Sequence, residues 1–268
     1  MHRGHSILVI CLYLLVTSGC GTLKNGRGWG QDAFRHVTLE RVGRAASNAF
    51  FDLQTLIPAA GALAFSIDDW DEKASNWATD HNPIFDSAGD AEDASDTLVN
   101  VLIAETVITT FATPSGDDWG QWTASKLKGL GVELFAVGTA TGVTELLKKR
   151  VDRRRPDDSD DESFPSGHAT SAFSLSTLSN RNLDSIDMPK KLRRTLQVGN
   201  LLMATGVGWA RVEGNKHYPS DVLAGAALAH FFTAFIHDAF LGLPEDDGFH
   251  FIIFPQNGGA AAQVSIAF

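Results

Sequence analysis

Cysteine is almost missing from this 268-residue chain: Cys11 and Cys20 are the only two, both within the first 20 residues. If the segment ahead of Cys20 is removed, no internal disulfide can form in what remains, and packing alone must hold the fold. A basic excess is missing too. The formal net charge is −10, which argues against nucleic acid as a partner and leaves any anion binding to a local cluster of cations. Beyond the N-terminus there is also no clean run of about 18 apolar residues. The candidate stretches are interrupted by Glu105, by Glu133 and Glu145, and by His230, His237 and Asp238, groups that are costly in lipid. A water-soluble unit is therefore expected, with segments 196–210 and 222–242 the ones placed to touch a bilayer. At 44% hydrophobic and 20% charged residues, the chain can bury one substantial core and does not need a second.

The first 20 residues read as a secretory signal: Arg3 precedes an apolar run from Ile7 to Val16, too short to span, and small residues lead to Cys20. The stretch "VTSGC" resembles a bacterial lipobox, so Cys20 is the expected lipidation site and the mature chain is expected in the cell envelope, on the periplasmic side, anchored to the membrane surface. Residues 21–50 read as a tether with a short helix near its end. Residues 51–245 hold six apolar segments, at 54–66, 98–112, 129–147, 168–179, 196–210 and 222–242, each long enough for a helix. The fold class expected is all-α, a bundle of about six core helices. The acidic stretches "SIDDWDEK" and "DSAGDAEDASD" read as solvated linkers. In residues 246–268, two β-leaning runs flank Asn257-Gly258-Gly259, a hairpin pattern. Val264, Ile266 and Phe268 alternate like the last strand of an outer-membrane barrel, but one hairpin cannot close a barrel, so a small hairpin docked on the bundle is expected.

Three blocks carry chemistry. The first, "LKKRVDRRRP", gathers Lys148, Lys149, Arg150, Arg153, Arg154 and Arg155 against Asp152 alone. Two or three cations suit a helix C-terminus stopped by Pro156. Six suggest a site for a multiply charged anion. The second, "SFPSGHATSAFS", packs Ser166, Gly167 and His168 at the start of an apolar segment. The third, "ARVEGNKHYPSD", holds His217 and Asp221 four residues apart, a spacing that can fix an imidazole tautomer but is also common in surface pairs and caps. His168, His217 and Asp221 would also make a three-ligand metal set. The nearby cations argue against a divalent ion, so no metal is expected.

Taken together, Lys148 with Arg155-Pro156, Pro165-Ser166-Gly167-His168, and Arg211 with His217 and Asp221 resemble, in order and internal spacing, the type 2 phosphatidic acid phosphatase superfamily. That superfamily includes lipid phosphatases, bacterial nonspecific acid phosphatases and vanadium haloperoxidases. One departure is Ala210, where the family usually has serine, which puts rate and substrate choice in question more than reaction type. The resemblance implies that Lys148, Arg155 and Arg211, with Ser166 and Gly167, bind phosphoryl oxygens. It implies that His217 is a nucleophile oriented by Asp221, and that His168 is the general acid and then base. The function implied is a metal-independent phosphatase of the envelope, acting without a cofactor on a phosphorylated small molecule or, in preference, a lipid phosphate. The other readings are an anion-binding lipoprotein without turnover, or a haloperoxidase using vanadate. Phe231, Phe232 and Phe235 read either as core or as contacts for an acyl chain.

Overall fold

The computed structural model describes residues 19–35, 37–242, 249–256 and 259–266, the last two stretches as backbone. Eight helices occur among these residues: α1 (Leu39–Phe51), α2 (Leu53–Phe65), α3 (Trp70–His81), α4 (Ala88–Ala112), α5 (Trp119–Val151), α6 (Gly167–Ser185), α7 (Lys190–Glu213) and α8 (Pro219–Phe240). Strands β1 (Phe249–Gln256) and β2 (Gly259–Ile266) pair antiparallel, with Phe249 opposite Ile266. Asn257 and Gly258, the first two residues of the expected turn, lie outside the described residues, as does most of the leader, residues 1–18.

Side-chain caps set several helix starts. Asp52 accepts from Gln54 N, Ser87 from Asp90 N, Asp118 from Gln121 N and Ser166 from Ala169 N, each satisfying a donor the helix leaves open. Both acidic stretches turn out to be structured. "DSAGDAEDASD" forms the start of α4, where carboxylates complement the positive end of the helix. "SIDDWDEK" runs into α3, whose Asp71 is buried. Helix α5 ends at Val151, before Pro156, because Asp152 takes the left-handed conformation (φ 52°) and its N–H closes on Lys148 O. The three arginines 153–155 are thereby released from the helix to point different ways.

Helix α8 is the central element, packed against α1, α2, α5 and α6; α6 in turn contacts α4, α5 and α7. Contacts are close because the buried positions are small: Ala136, Ala140, Ala172, Ala204, Ala226 and Ala229 are all fully covered. At Gly225 a Cβ would stand 2.7 Å from Ser166 O, so glycine is what lets α8 lie directly under the loop that starts α6. Residues 21–35, which read as part of a tether, lie against the bundle. Gly21 pairs with Gly116, Trp29 N donates to Pro114 O at 2.7 Å, and Trp29 and Ala33 are buried.

The distribution of polarity is unlike that of the water-soluble unit expected. Most of the interrupting charges face inward and are paired, whereas Glu145 is exposed beside Lys148. Glu133 accepts from Thr110 and Asn182 at 2.8 and 2.7 Å, Asp238 takes both prongs of Arg181, and His230 is bonded to Thr177 and lies 3.3 Å from Asp52. The outward faces are apolar instead. Leu63 on α2, Leu134 on α5 and Leu202 on α7 are 72%, 73% and 66% exposed, with Val101, Val107 and Ile108 of α4 beside them. Exposed tryptophans mark the two ends, Trp70 and Trp77 on α3 and Trp119 at the start of α5. Helices α5 and α8 are long and apolar enough to cross a membrane, although α8 is largely enclosed by its neighbours.

One buried carboxylate ties this scaffold to the loop before α4. Glu213, the last residue of α7, accepts from Ile84 N and Phe85 N at 3.2 and 2.7 Å and from Trp209 Nε1 at 2.6 Å. Glu213→Ala leaves three donors unpaired and is expected to cost about 3 kcal/mol. A fall in thermal midpoint, with faster amide exchange confined to residues 82–87 and their neighbours, is the check.

Candidate active site

All eight residues singled out from the three blocks converge at one end of the bundle. Lys148 comes from the last turn of α5, Arg155 from the loop beyond it, Ser166, Gly167 and His168 from the start of α6, Arg211 from the end of α7, His217 from the α7–α8 turn and Asp221 from the first turn of α8. The spacing in the third block has a local cause. After Glu213 the chain folds back through Gly214 and left-handed Asn215, and the N–H groups of Lys216 and His217 both donate to Arg211 O, at 3.0 and 3.1 Å. Five intervening residues are what this turn needs to bring His217 back beside Arg211. Ser166 N donates to Asp221 O at 3.0 Å, which joins the second block to the third. The Phe164–Pro165 peptide is cis.

His217 is 2% exposed, and its two ring nitrogens have different surroundings. Nδ1 lies 2.7 Å from Ser163 O, an acceptor only, so this nitrogen carries the hydrogen. Nε2 keeps its lone pair and stands 3.3 Å from Arg155 NH1. Burial, together with Arg155, Arg211 and Lys148, holds the imidazole well below its ordinary 6.5, so it stays neutral at and below neutral pH. The structure corrects one detail of the expected site. Asp221 does not take the ring N–H; its Oδ2 is 3.9 Å from Nδ1. It accepts instead from Ser163 Oγ at 2.6 Å and Tyr218 N at 2.8 Å, so it orients His217 through the residue that holds the ring.

The six cations of the first block separate by role. Lys148 Nζ, mostly covered, stands where a Cβ on Gly167 would be 3.5 Å away. Arg155 faces His217 and is held from behind by Asp160 at 2.6 Å. Arg153 turns inward to Asp71 and Asp221, and Arg154 outward to Asp158. Lys149 and Arg150 stay at the helix end. Arg211 is 5% exposed and its Nε is buried without a hydrogen-bond partner, a donor that an incoming oxyanion would satisfy. The acidic stretch 157–162 is folded onto these cations. Besides Asp160, Asp157 accepts from Lys216 at 3.1 Å, and despite partial burial its bonds to Ser159 and Lys216 hold its carboxyl at about 2.

His168 is about two-fifths exposed at the mouth of the site, and its Nε2 bonds Asp96 Oδ1 at 2.9 Å. Asp96, on α4 inside a stretch that reads as an acidic linker, is a site neighbour that sequence reasoning missed, as are Asp71 and Ser163. Their one sequence signal is proximity to the motif for Ser163; Asp71 and Asp96 lie more than 70 residues away from the groups they bond. Ala210, the departure from the family pattern, is fully buried next to Arg211. Among the described residues no group of three or more His, Cys, Asp or Glu side chains is placed to hold a metal ion. Cys20 is exposed at the other end of the bundle, where Gly19 O accepts from Trp122 Nε1 and Gly21 pairs with Gly116, near the start of α5.

Two histidines and three cations, one of them Arg211 with its unpaired buried donor, thus meet at one end of the helical bundle. The sequence profile of the PAP2 superfamily matches residues 130–242, a stretch that includes every one of these groups. The chain is 32% identical over 110 residues to a lipid A 1-phosphatase of Porphyromonas gingivalis, covering 41% of this chain and 22% of that protein. A lipid A 1-phosphatase of Rhizobium etli is 31% identical over 126 residues, covering 39% and 47%. The chain thus spans between about a fifth and a half of the length of these relatives. The fold is similar to a transmembrane PAP2-type phosphatidylglycerolphosphate phosphatase of Bacillus subtilis, with a TM-score of 0.51 at 22% identity over 72% of this chain and 94% of that one.

Burial and the cations Arg211 and Lys148 lower His168 from its ordinary 6.5, and Asp96 opposes them. Removing that carboxylate takes away a stabiliser of the charged ring. Asp96→Asn is therefore expected to move the His168 titration to still lower pH, read from the ring resonances of both proteins. An upward or absent shift would show that the 2.9 Å contact does not govern this histidine.

Proposed function

We propose that this protein is a metal-independent phosphatase of the phosphatidic acid phosphatase type, releasing phosphate from a phosphomonoester or pyrophosphate carried on a lipid. The observation that supports it most directly is His217: neutral, buried, protonated at Nδ1 and presenting the Nε2 lone pair among Arg155, Arg211 and Lys148. In the first step Nε2 attacks phosphorus, the bond from phosphorus to the leaving oxygen breaks, and protonated His168 delivers a proton to that oxygen. In the second, water attacks the phosphohistidine while His168 takes its proton. Inorganic phosphate leaves and neutral His217 is restored. Charge on the three phosphoryl oxygens is met throughout by Lys148, Arg155 and Arg211, with the α6 N-terminus behind Ser166 and Gly167 adding oriented N–H groups. No step asks for a metal or cofactor.

A lipid substrate is supported by the apolar outer faces of α2, α4, α5 and α7, by the inward pairing of charge, and by relatives named for lipid phosphates. In this reading the bundle sits in a bilayer with the tryptophans of α3 and α5 at its two surfaces. Residues 1–20 act as an anchoring segment in the cell envelope, with the site on the periplasmic side. Cys20 lies at the end of the bundle remote from the site, about 40 Å away along α5, and so at the opposite face of the bilayer, where an exported lipoprotein cysteine would not stand; it is the apolar belt, and not a lipid on Cys20, that brings the site to the membrane. The substrate enters from the lipid, and the phenylalanines Phe231, Phe232 and Phe235, partly buried, serve as core, with Phe231 stacked on Phe235 and edge-on to Phe232 and Phe50.

Phosphate release from phosphatidate, phosphatidylglycerophosphate, a polyprenyl pyrophosphate and lipid A in detergent, beside a small aryl phosphate, tests the reading. Turnover is expected on a lipid, unchanged by EDTA. His217→Ala should reduce it to background in a folded protein, and Arg155→Ala should in addition raise the phosphate concentration needed for product inhibition by about tenfold or more. Full activity in the His217 variant, or complete loss on chelation, would overturn the assignment.

A further inference from the structure

Of the six clustered cations, Arg153 is the one that neither faces the oxyanion site nor reaches solvent freely. Its NH1 donates to Asp221 Oδ1 at 2.7 Å and to Ser220 Oγ at 2.8 Å, and its NH2 donates to Asp71 Oδ2 at 2.9 Å. Its guanidinium lies over the Tyr218 ring, 4.1 Å from the centroid. Its own backbone takes part, since Ser163 N donates to Arg153 O at 2.9 Å. Asp71, 5% exposed, completes the cage from α3: Oδ1 accepts from Ser220 N at 2.9 Å and Oδ2 from Ser220 Oγ.

These contacts form one chain of groups ending at the reacting ring. Asp71 fixes Arg153 and Ser220; Arg153 fixes Asp221 and the Ser163 backbone; Asp221 fixes Ser163 Oγ; and Ser163 O holds His217 Nδ1–H. We propose that Arg153 and Asp71 are positioning residues for His217, setting its tautomer and the direction of Nε2 through Asp221 and Ser163 without touching the substrate. The proposal rests on His217 being the nucleophile. The physical argument is that an aspartate wholly buried beside another carboxylate needs a fixed cation to stay in place, and a planar fork can bridge two carboxylates and a hydroxyl where an ammonium cannot. Without the fork, Asp221 is no longer held against Ser163 Oγ, so the Ser163 carbonyl keeps only the support of its own N–H on the Arg153 backbone oxygen and the acceptor that fixes Nδ1–H is no longer locked in place.

The variants are Arg153→Gln, Arg153→Lys and Asp71→Asn, in the full chain, with two readouts. On the substrate that the wild type turns over, kcat is expected to fall about 10²-fold in Arg153→Gln with KM within about threefold, since a small displacement of the reacting group is enough for such a loss. Arg153→Lys should restore only part of it, and Asp71→Asn should fall between. Independently of turnover, ¹⁵N-histidine spectra, with the His217 signals assigned by their disappearance in His217→Asn, should show a single Nδ1–H tautomer in the wild type. The same spectra should show mixed or reversed tautomers in Arg153→Gln. A parallel rise in KM, or full rescue by lysine, would make Arg153 an ordinary phosphate-binding charge. Wild-type kcat and an unchanged His217 tautomer in folded Arg153→Gln would overturn the proposal while leaving His217 as nucleophile. An inactive wild type would remove the functional reading, and the tautomer spectra would still decide whether Arg153 and Asp71 set the ring.

Discussion

The fully buried carboxylate of Asp221 is the constraint around which the site is organised. A charge in that position cannot be left half-satisfied, and it collects an Arg153 prong, the Ser163 hydroxyl and the Tyr218 N–H. Those partners come from three different stretches of chain, so satisfying one side chain fixes the loop after α5, the approach to α6 and the first turn of α8 together. Ser166 N, bonded to the backbone oxygen of the same residue, adds the α6 N-terminus. The groups proposed to bind phosphate hang from this frame, and the separation of a rigid support from a facing set of cations is what leaves those cations available to a ligand.

The same economy appears in the body of the bundle, with polarity turned inside out. Carboxylates, histidines and an arginine meet in the interior, where small residues bring the helices close, and leucine, valine and isoleucine cover the outside. Interior pairing of this kind is expensive to break, because a lone partner is left buried. It also fixes rotation: Glu133 can meet Thr110 and Asn182 only if α5 presents one face to α4 and α6. Helices that share an apolar exterior have little else to set their register.

The residues in direct reach of the oxyanion were legible in the sequence because their spacing is a local property. Lys148 and Arg155 flank a helix end, Ser166 to His168 begin the next helix, and Arg211 to Asp221 form one turn. The helical class was legible for the same reason. What could not be seen depends on pairs distant in sequence. Asp71 and Asp96 lie in acidic stretches whose composition suits a solvated linker, and only the folding of α3 and α4 over the site brings them to Arg153 and His168. The direct His217–Asp221 contact suggested by the i, i+4 spacing did not form, since the helix starts only at Pro219 and the Ser163 carbonyl reaches the ring first. That most charges along the apolar helices turn inward was not legible, because a sequence shows that a residue is present and not which way it faces.

Helix α5 carries a further consequence, one of depth. Its 33 residues make it about 50 Å long, against a hydrocarbon core of about 30 Å. If the outward leucine at Leu134 marks the midplane, Lys148 stands about 21 Å above it, a few ångströms beyond the edge of the core and level with lipid headgroups. On the proposed lipid-phosphatase reading, a phosphate at that height is met where it already resides. Since each methylene drawn from lipid into water costs about 0.8 kcal/mol, cleavage at this level would leave the acyl chains of the proposed substrate where they are, and the energy of extracting the lipid would not enter the barrier.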